Sequence, residues 1–183
     1  MARYEIGSGG VFFATRERGR RVREEIEQEL ARVSPRDGLE VSFKGVEGIT
    51  VSFGDECIAK LIVARAAGDF DDRGLVIEDM NADVRETLEA VFLRRKMAVV
   101  ALNDAGEPEI LGEPAWMNVT LAAALELRSF RASDLAGRLH ITPQAANNRL
   151  KNLVSSGAVA RKRIVPSGGG KEFGYEVVVP AYA

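Results

Sequence analysis

The sequence predicts an α/β protein in two parts, and three features of the chain support that prediction. Over residues 1–113, segments with helical apolar spacing alternate with short apolar segments typical of strands. Over residues 114–183, three helical segments precede two strands that flank Ser167-Gly-Gly-Gly170. Charge divides in the same way, since residues 118–183 carry nine Lys or Arg against four Asp or Glu, whereas residues 1–117 carry 16 against 23. We therefore expect two domains, 1–113 and 114–183.

Apolar spacing defines the elements of the first part. Val22, Ile26 and Leu30 recur at the period of a helix. Thr15 precedes them as a capping residue, so a helix is predicted over Arg16–Val33. The other predicted elements are strands over Leu39–Phe43, Leu75–Ile77 and Met97–Leu102, helices over Phe53–Ala67 and Ala82–Lys96, and candidate strands over Val11–Ala14 and Ile110–Leu111.

The second part begins with a helix over Trp116–Leu127 and continues as a helix–turn–helix. Within the turn, Thr142 is a suitable N-cap and Pro143 suits the first helical position. Gly157 is expected to end the second of these helices. The predicted bounds are Ser133–His140 and Gln144–Ser156 for the two helices, then Val159–Pro166 and Glu172–Val179 for the strands of a hairpin.

The second helix of this pair presents polar side chains that suit base recognition. Asn and Gln form paired hydrogen bonds with adenine, and Arg and Lys do so with guanine. We expect Gln144, Asn147, Asn148 and Lys151 to contact bases, and Arg149 to contact either a base or the backbone. The cations of the hairpin suit phosphates, and these are Arg161, Lys162, Arg163 and Lys171.

Residues 129–179 resemble the winged helix-turn-helix regulators of bacteria, on the order of these elements and the segment Thr142-Pro-Gln-Ala-Ala-Asn-Asn-Arg149. The resemblance implies double-stranded DNA as the partner and transcription regulation as the function, with Thr142 at the interface beside the residues named above. Because some winged helices bind only protein, a protein-interaction adaptor is the alternative. A two-fold operator would require a dimer, so a homodimer is also an expected arrangement.

The first part resembles the STAS-like domain family of unknown function. The resemblance rests on Phe13-Ala-Thr-Arg16, Leu39-Glu-Val-Ser-Phe-Lys-Gly-Val46 and Val51-Ser-Phe-Gly-Asp-Glu56, and extends through Asn81 to Leu93-Arg-Arg95. It covers residues 12–102 and implies a small α/β sandwich that mediates dimerisation or receives a signal. STAS relatives include antagonists of anti-sigma factors, so the resemblance also implies a protein partner such as a histidine-kinase-like ATPase.

Two hydroxyl residues at the start of the second helix are candidate phosphorylation sites. The resemblance places Thr50 and Ser52 where such antagonists carry a phosphorylated serine. Ser52 is also suited to cap the helix, and Asp55 three residues later would complete a capping box. The capping role is the preferred interpretation, because a phosphate would lie beside Asp55 and Glu56.

The sequence offers little support for an enzyme, a metal site or a cofactor. His140 is the single histidine and has no nucleophile near it in the sequence. Cys57 is the single cysteine and lies on the apolar side of a predicted helix, so we expect a buried, inert thiol. The glycine runs lack the lysine–serine or lysine–threonine pair of a phosphate-binding loop. With no apolar run of membrane-spanning length and no signal-peptide core, a cytoplasmic location is expected.

Overall fold

The computed structural model describes residues 2–34, 37–70, 73–112, 114, 116–164 and 172–179. We refer to residues 2–112 as the amino-terminal part and to residues 114–179 as the carboxyl-terminal part. The elements, in chain order, are β1 (Ala2–Glu5), a 3₁₀ turn (Ile6–Gly9), β2 (Phe12–Phe13), α1 (Arg16–Arg32), β3 (Gly38–Ser42), β4 (Gly48–Ile49), α2 (Val51–Gly54), a π-helical turn (Asp55–Ala59), α3 (Lys60–Ala67), β5 (Gly74–Glu78), α4 (Ala82–Arg95), β6 (Ala98–Leu102), β7 (Pro108–Gly112), α5 (Trp116–Leu127), β8 (Ser129–Arg131), α6 (Ala132–Leu139), α7 (Pro143–Ser156), β9 (Val159–Ile164) and β10 (Glu172–Val177).

The predicted α/β class is confirmed, and most predicted elements lie within two residues of their expected bounds. Two strands were not predicted, β1 at the start of the chain and β8 between α5 and α6, and β4 falls where the sequence predicts only a loop or a short strand edge over Val46–Ser52. Each is four residues long or fewer, too short for an alternation of apolar and polar residues to be recognised. Of the predicted strand Val159–Pro166, the end beyond Ile164 lies outside the described residues.

A five-stranded sheet forms the centre of the fold, in the order β1-β3-β5-β6-β7. The first four strands are parallel and β7 is antiparallel to β6. The parallel strands therefore follow one another in sequence, each joined to the next by a helical crossover. Right-handed crossovers in sequential order place all their helices on one face of a sheet.

Alternate residues of the strands confirm this one-sided arrangement. Leu75 and Ile77 of β5 and Val99 of β6 belong to a core shared with α1, the helical segments of residues 51–67, and α4. Their neighbours Val76 and Val100 point the other way, as successive residues of a strand must. The second face of the sheet is thus also apolar at β5, β6 and β7, and it must be shielded from water by other elements.

The carboxyl-terminal part supplies that cover. Val76, Val100 and Ile110 belong to a second core, whose other buried members include Met117 and Leu121 of α5, Leu150 and Leu153 of α7, and Val159 and Tyr175 of the hairpin. The approach is close at Gly157, where an added Cβ would lie 3.1 Å from the carbonyl oxygen of Leu75. Gly157 also has φ of 91°, so both its conformation and its contact favour glycine.

Asn118 ties α5 to the exposed edge of the sheet. Its carboxamide accepts a hydrogen bond from the Ile110 amide at 2.6 Å and donates one to the Ile110 carbonyl at 3.3 Å. A side chain thereby occupies the backbone groups that β7 would otherwise offer to a further strand. Pro108 in the same strand has no amide hydrogen, so this edge is poorly suited to extension of the sheet.

Arg65 joins the two parts through its guanidinium. The residue is 4% exposed on α3. Its Nε donates to the Arg73 carbonyl at 2.6 Å, and an Nη donates to the carbonyls of Val154 and Ser155 at 2.8 and 3.2 Å. The latter two carbonyls are in the last turn of α7, where a positive charge interacts favourably with the negative end of the helix dipole.

Removal of this guanidinium should weaken the whole fold. Arg65→Met removes the side-chain donor from the carbonyls of Arg73, Val154 and Ser155 and the buried charge that joins the two parts, and we expect a loss of about 2–3 kcal/mol in the free energy of unfolding. Arg65→Lys should lose less free energy of unfolding, because the ammonium keeps the positive charge. Some loss should remain, because an ammonium cannot reproduce the hydrogen-bond geometry of the guanidinium. Urea denaturation measures both, with the exposed Arg94→Met as control, which should change the free energy by less than about 0.5 kcal/mol. Equal midpoints for the Arg65 and Arg94 variants would contradict this role.

Ion pairs hold α1, the π-helical turn and α4 together. Asp55 in the turn accepts two hydrogen bonds from Arg95, at 2.5 and 3.0 Å, and one from Arg16 at 3.3 Å. The next residue, Glu56, accepts from Lys60 at 2.7 Å. The Arg95 contacts lower the pKa of Asp55 below its ordinary value, and the Lys60 contact does the same for Glu56.

These lowered pKa values predict a loss of stability in acid. A carboxylate with a depressed folded-state pKa contributes fully above its ordinary pKa, and this contribution disappears as the pH falls through the depressed value. Asp55→Asn should therefore be less stable than the wild type at pH 7, by on the order of 1–2 kcal/mol. The gap should narrow as the pH falls below 4, which denaturation at a series of pH values measures. A gap independent of pH would show that the charge of Asp55 is not responsible.

Candidate nucleic-acid interface

The turn between α6 and α7 is set by its own residues. His140 ends α6 with a left-handed conformation, φ 52°, and the Ile141 amide donates to the Ala136 carbonyl at 3.0 Å. Thr142 then starts α7, because its hydroxyl accepts a hydrogen bond from the Ala145 amide at 3.2 Å and Pro143 occupies the first helical position. The predicted capping role of Thr142 is confirmed, and its side chain is exposed.

α7 exposes one polar side for most of its length. Gln144, Asn147, Asn148 and Lys151 are all exposed, whereas Ala146, Leu150 and Leu153 are fully buried on the opposite side. Residues four apart on a helix are neighbours, so Gln144, Asn148 and Asn152 form one row of amide side chains along it. The structure thus brings together all four residues predicted to contact bases.

The last turn of α7 is covered by the amino-terminal part. Arg65 contacts the carbonyls of Val154 and Ser155 there, and α3 crosses the helix at this point. A cleft of about 550 Å³ opens beside the crossing, between the end of α3, α7 and the hairpin. A second cleft of about 340 Å³ opens between α3, the residues after α4, and α7. The polar side of α7 is therefore open from Gln144 to Lys151 and crossed only near Ser155.

Arg149 does not belong to this polar side. Its guanidinium lies 5.1 Å from the centre of the Trp116 ring and donates to the Thr120 hydroxyl at 3.2 Å. The side chain is half-buried and joins α7 to α5. The cation–π contact and the hydrogen bond use the Arg149 guanidinium within the fold. A contact of Arg149 with a base or the DNA backbone stays a prediction.

The strands of the hairpin separate the predicted cations onto two faces. β10 lies between β8 and β9, and Arg161 pairs with Tyr175 and Arg163 with Phe173 in the antiparallel register. Paired residues share a face, so Arg161 and Arg163 lie on the side of Tyr175, which faces α7 across the larger cleft. The Arg161 guanidinium lies 4.5 Å from the centre of the Phe173 ring.

Lys162 lies on the opposite face and forms an ion pair with Glu176. The charge of Lys162 is therefore partly neutralised and directed away from α7, and its predicted contact with phosphate stays a prediction. The alternation of side chains along a strand accounts for the split. The remaining predicted contact, Lys171, lies outside the described residues, as does the glycine run before it.

The start of the helical segment at residue 51 differs from the prediction at one position. Thr50, not Ser52, caps it: the Thr50 hydroxyl accepts from the Phe53 amide at 3.2 Å and donates to the Ala14 carbonyl. Phe12–Phe13 pairs with Gly48–Ile49, so the extended segment before the helix ends at Ile49. The helix cap is therefore Thr50, two residues before the predicted cap. Ser52 is the second residue of α2 and half-buried, so the capping box of Ser52 with Asp55 is wrong.

An exposed apolar patch lies beside this helix start. Val11, Phe12 and Val51 are 53%, 56% and 45% exposed. The Val11 carbonyl accepts from the amides of Glu47 and Gly48, and Phe12 pairs with Gly48, three residues before Val51. Thr50 and Ser52, the candidate phosphorylation sites, adjoin these residues.

The described residues also bear on the chemistry left open by the sequence. Cys57 is fully buried, and its burial raises the pKa of the thiol. No group of three or more His, Cys, Asp or Glu side chains in the described part of the chain is arranged to hold a metal ion. Among the helices of that part, none is long and apolar enough to cross a bilayer.

Arg65 and Lys96 lie at the clefts beside α7 and were not among the predicted site residues. Lys96 follows α4, is exposed, and lines the smaller cleft with Asn152 and Ser155 of α7. Arg65 is separated from its α7 partners by 89 and 90 residues. A charged residue within the apolar run of α3 was the only feature of the sequence that distinguished it.

Comparison with known proteins gives one family match, which lies within the amino-terminal part. Residues 18–85 match the model of a STAS-like domain of unknown function (DUF4325). The matched segment runs from the first turn of α1 to the first turn of α4, so the resemblance to STAS-like domains is confirmed over those residues and the carboxyl-terminal part lies outside it. No curated protein and no solved structure is similar enough to the chain to give a match.

The capping assignment predicts different costs for two neighbouring substitutions. Thr50→Ala removes the cap and the hydrogen bond to Ala14, and it should lower the free energy of unfolding by about 1–2 kcal/mol. Ser52→Ala lies inside the helix and should change it by less than about 0.5 kcal/mol. Thermal unfolding of the two variants side by side measures the difference. A larger loss of stability for Ser52→Ala than for Thr50→Ala would contradict the assignment of the cap to Thr50.

Proposed function

We propose that residues 114–183 form a winged helix-turn-helix that binds duplex DNA, and that the protein regulates transcription. In this proposal α7 is the recognition helix and β9–β10 is the wing. The STAS-like part receives a signal from a protein partner or holds two copies together. No catalytic role is assigned to the chain.

The main support for this proposal is the exposed polar side of α7. A recognition helix places its first turns against base edges in the major groove. The first turns of α7 are the ones that the rest of the fold leaves open, and they present Gln144, Asn147 and Asn148. Amide side chains can discriminate adenine through paired hydrogen bonds, with Lys151 one turn further along for guanine or phosphate.

The wing supports the same conclusion through its charge. Arg161 and Arg163 lie on the hairpin face that is directed towards α7, so cations flank the proposed recognition helix. Phosphate contacts of this kind set the register of a protein on DNA and add affinity without sequence preference. Thr142, exposed at the start of α7, is positioned for a further contact.

The apolar patch favours a second candidate function. Val11, Phe12 and Val51 are exposed beside Ser52, and a surface of this kind is suited to a protein partner. In that alternative the chain is an adaptor in a partner-switching pathway with a histidine-kinase-like ATPase, and phosphorylation at Ser52 or Thr50 controls the contact. Thr50 is the less suitable of the two, since its hydroxyl caps a helix and donates to Ala14.

Binding to duplex DNA tests the proposal directly. The wild type should bind random duplex DNA with an affinity that falls steeply with salt, and should select preferred sequences from a random pool. Asn148→Ala should reduce the preference for the best sequence by about 1–3 kcal/mol while leaving non-specific binding nearly unchanged. Absence of salt-dependent binding by the wild type would favour the adaptor.

The wing provides a matched pair of variants for the same assay. Arg163→Gln should reduce the slope of log affinity against log salt by about 0.9. Lys162→Gln should change the slope less, because Lys162 already pairs with Glu176 on the other face. The reverse order of the two effects would contradict the assignment of the wing face.

A further inference from the structure

The polar side of α7 lies between two clefts, each lined by at least one positively charged side chain. On one flank, the larger cleft is lined by Lys151 and Arg161 of the carboxyl-terminal part and by Arg65 of the amino-terminal part, whose guanidinium is occupied by backbone carbonyls. On the other flank, the smaller cleft is lined by Asn152 and Ser155 of α7 and by Lys96 from the amino-terminal part. The clefts are separated by α3 where it crosses the end of α7.

Lys96 is placed by the end of α4. The residue has φ of 53°, the left-handed conformation that ends the helix, and its amide donates to the Leu93 carbonyl at 3.1 Å. The preceding Arg95 is occupied by Asp55, whereas Lys96 is exposed and has no carboxylate within ion-pairing distance in the described ranges of the chain.

The amide row on α7 leads towards this lysine. Gln144, Asn148 and Asn152 succeed one another at intervals of four residues, about 6 Å apart along the helix axis. Asn152 at the end of the row lines the smaller cleft with Lys96. A helix in the major groove has one phosphate strand along each flank, because the groove is only about 12 Å wide.

We infer that Lys96 binds the DNA backbone on the flank opposite to Lys151 and Arg161, so that the amino-terminal part belongs to the DNA interface. This inference rests on the proposed DNA-binding function of α7. It extends the interface beyond the winged helix, through a contact with phosphate that carries no sequence preference.

The test is the salt dependence of binding to random duplex DNA by the full-length chain. Lys96→Gln should lower the slope of log affinity against log salt by about 0.9, which makes the loss of affinity between 50 and 200 mM salt about 3.5-fold smaller than for the wild type. Lys96→Arg should retain the wild-type slope. Thermal unfolding of each variant confirms that the fold is kept.

Lys44→Gln is the matched control. Lys44 is also an exposed lysine of the amino-terminal part. It follows the carboxyl end of β3, whereas Lys96 precedes the amino end of β6. Because β3 and β6 run parallel, the two lysines lie at opposite ends of the parallel strands. Lys44→Gln should therefore leave the slope of log affinity against log salt unchanged.

The outcomes separate the inference from the proposed function. If the wild type shows no salt-dependent binding, both fall together. If it binds but Lys96→Gln keeps the wild-type slope, the inference is overturned and the proposed function stands. If Lys44→Gln lowers the slope as much as Lys96→Gln, the effect is one of overall charge, and the local contact at Lys96 is likewise overturned.

Discussion

The second face of the central sheet must be covered, and the rest of the structure depends on that constraint. Sequential parallel strands with helical crossovers place α1, α3 and α4 on one face and leave Val76, Val100 and Ile110 on the other. Burial of each such side chain contributes about 1.5–3 kcal/mol. Together they approach the net stability of a typical domain, about 5–15 kcal/mol. The carboxyl-terminal part therefore completes the core of the amino-terminal part as well as forming its own.

This packing determines which end of α7 is available for binding. The last turn is fixed over the sheet by Gly157 and by the hydrogen bonds from Arg65. The first turns extend beyond the sheet, where their polar residues are exposed. One helix thus serves two purposes along its length, and the buried turn orients the exposed ones relative to the amino-terminal part. A change at α3 would reach the proposed recognition helix through a single contact, which is a physical route for a signal.

Local patterns predicted the elements well, and their failures share one physical cause. The helix over Trp116–Leu127 and the cap at Thr142 depend on neighbouring residues, and both were correct. The capping role of Ser52 was wrong because the helix start depends on a strand pairing remote in sequence. The contacts of Arg149 with Trp116 and of Lys162 with Glu176 were not predicted for the same reason. Spacing along a helix indicates which side is polar, but it cannot tell whether an arginine at the margin of that side stacks on a tryptophan 33 residues earlier.

The orientation of the sheet separates one acidic cluster of the amino-terminal part from the proposed polyanionic partner. The carboxyl-terminal part approaches β5 at its amino end, at Leu75. The carboxyl end of the same strand carries Glu78, which lines a cleft with Asp79 and Asp104. A strand of five residues separates the two ends by more than 10 Å, about one Debye length at 0.1 M salt. The negative charge of Glu78, Asp79 and Asp104 is therefore screened from the side of α7. Lys96 lies at the other end of the parallel strands, just before the amino end of β6. These three acidic residues are thus compatible with the proposed binding of DNA by α7.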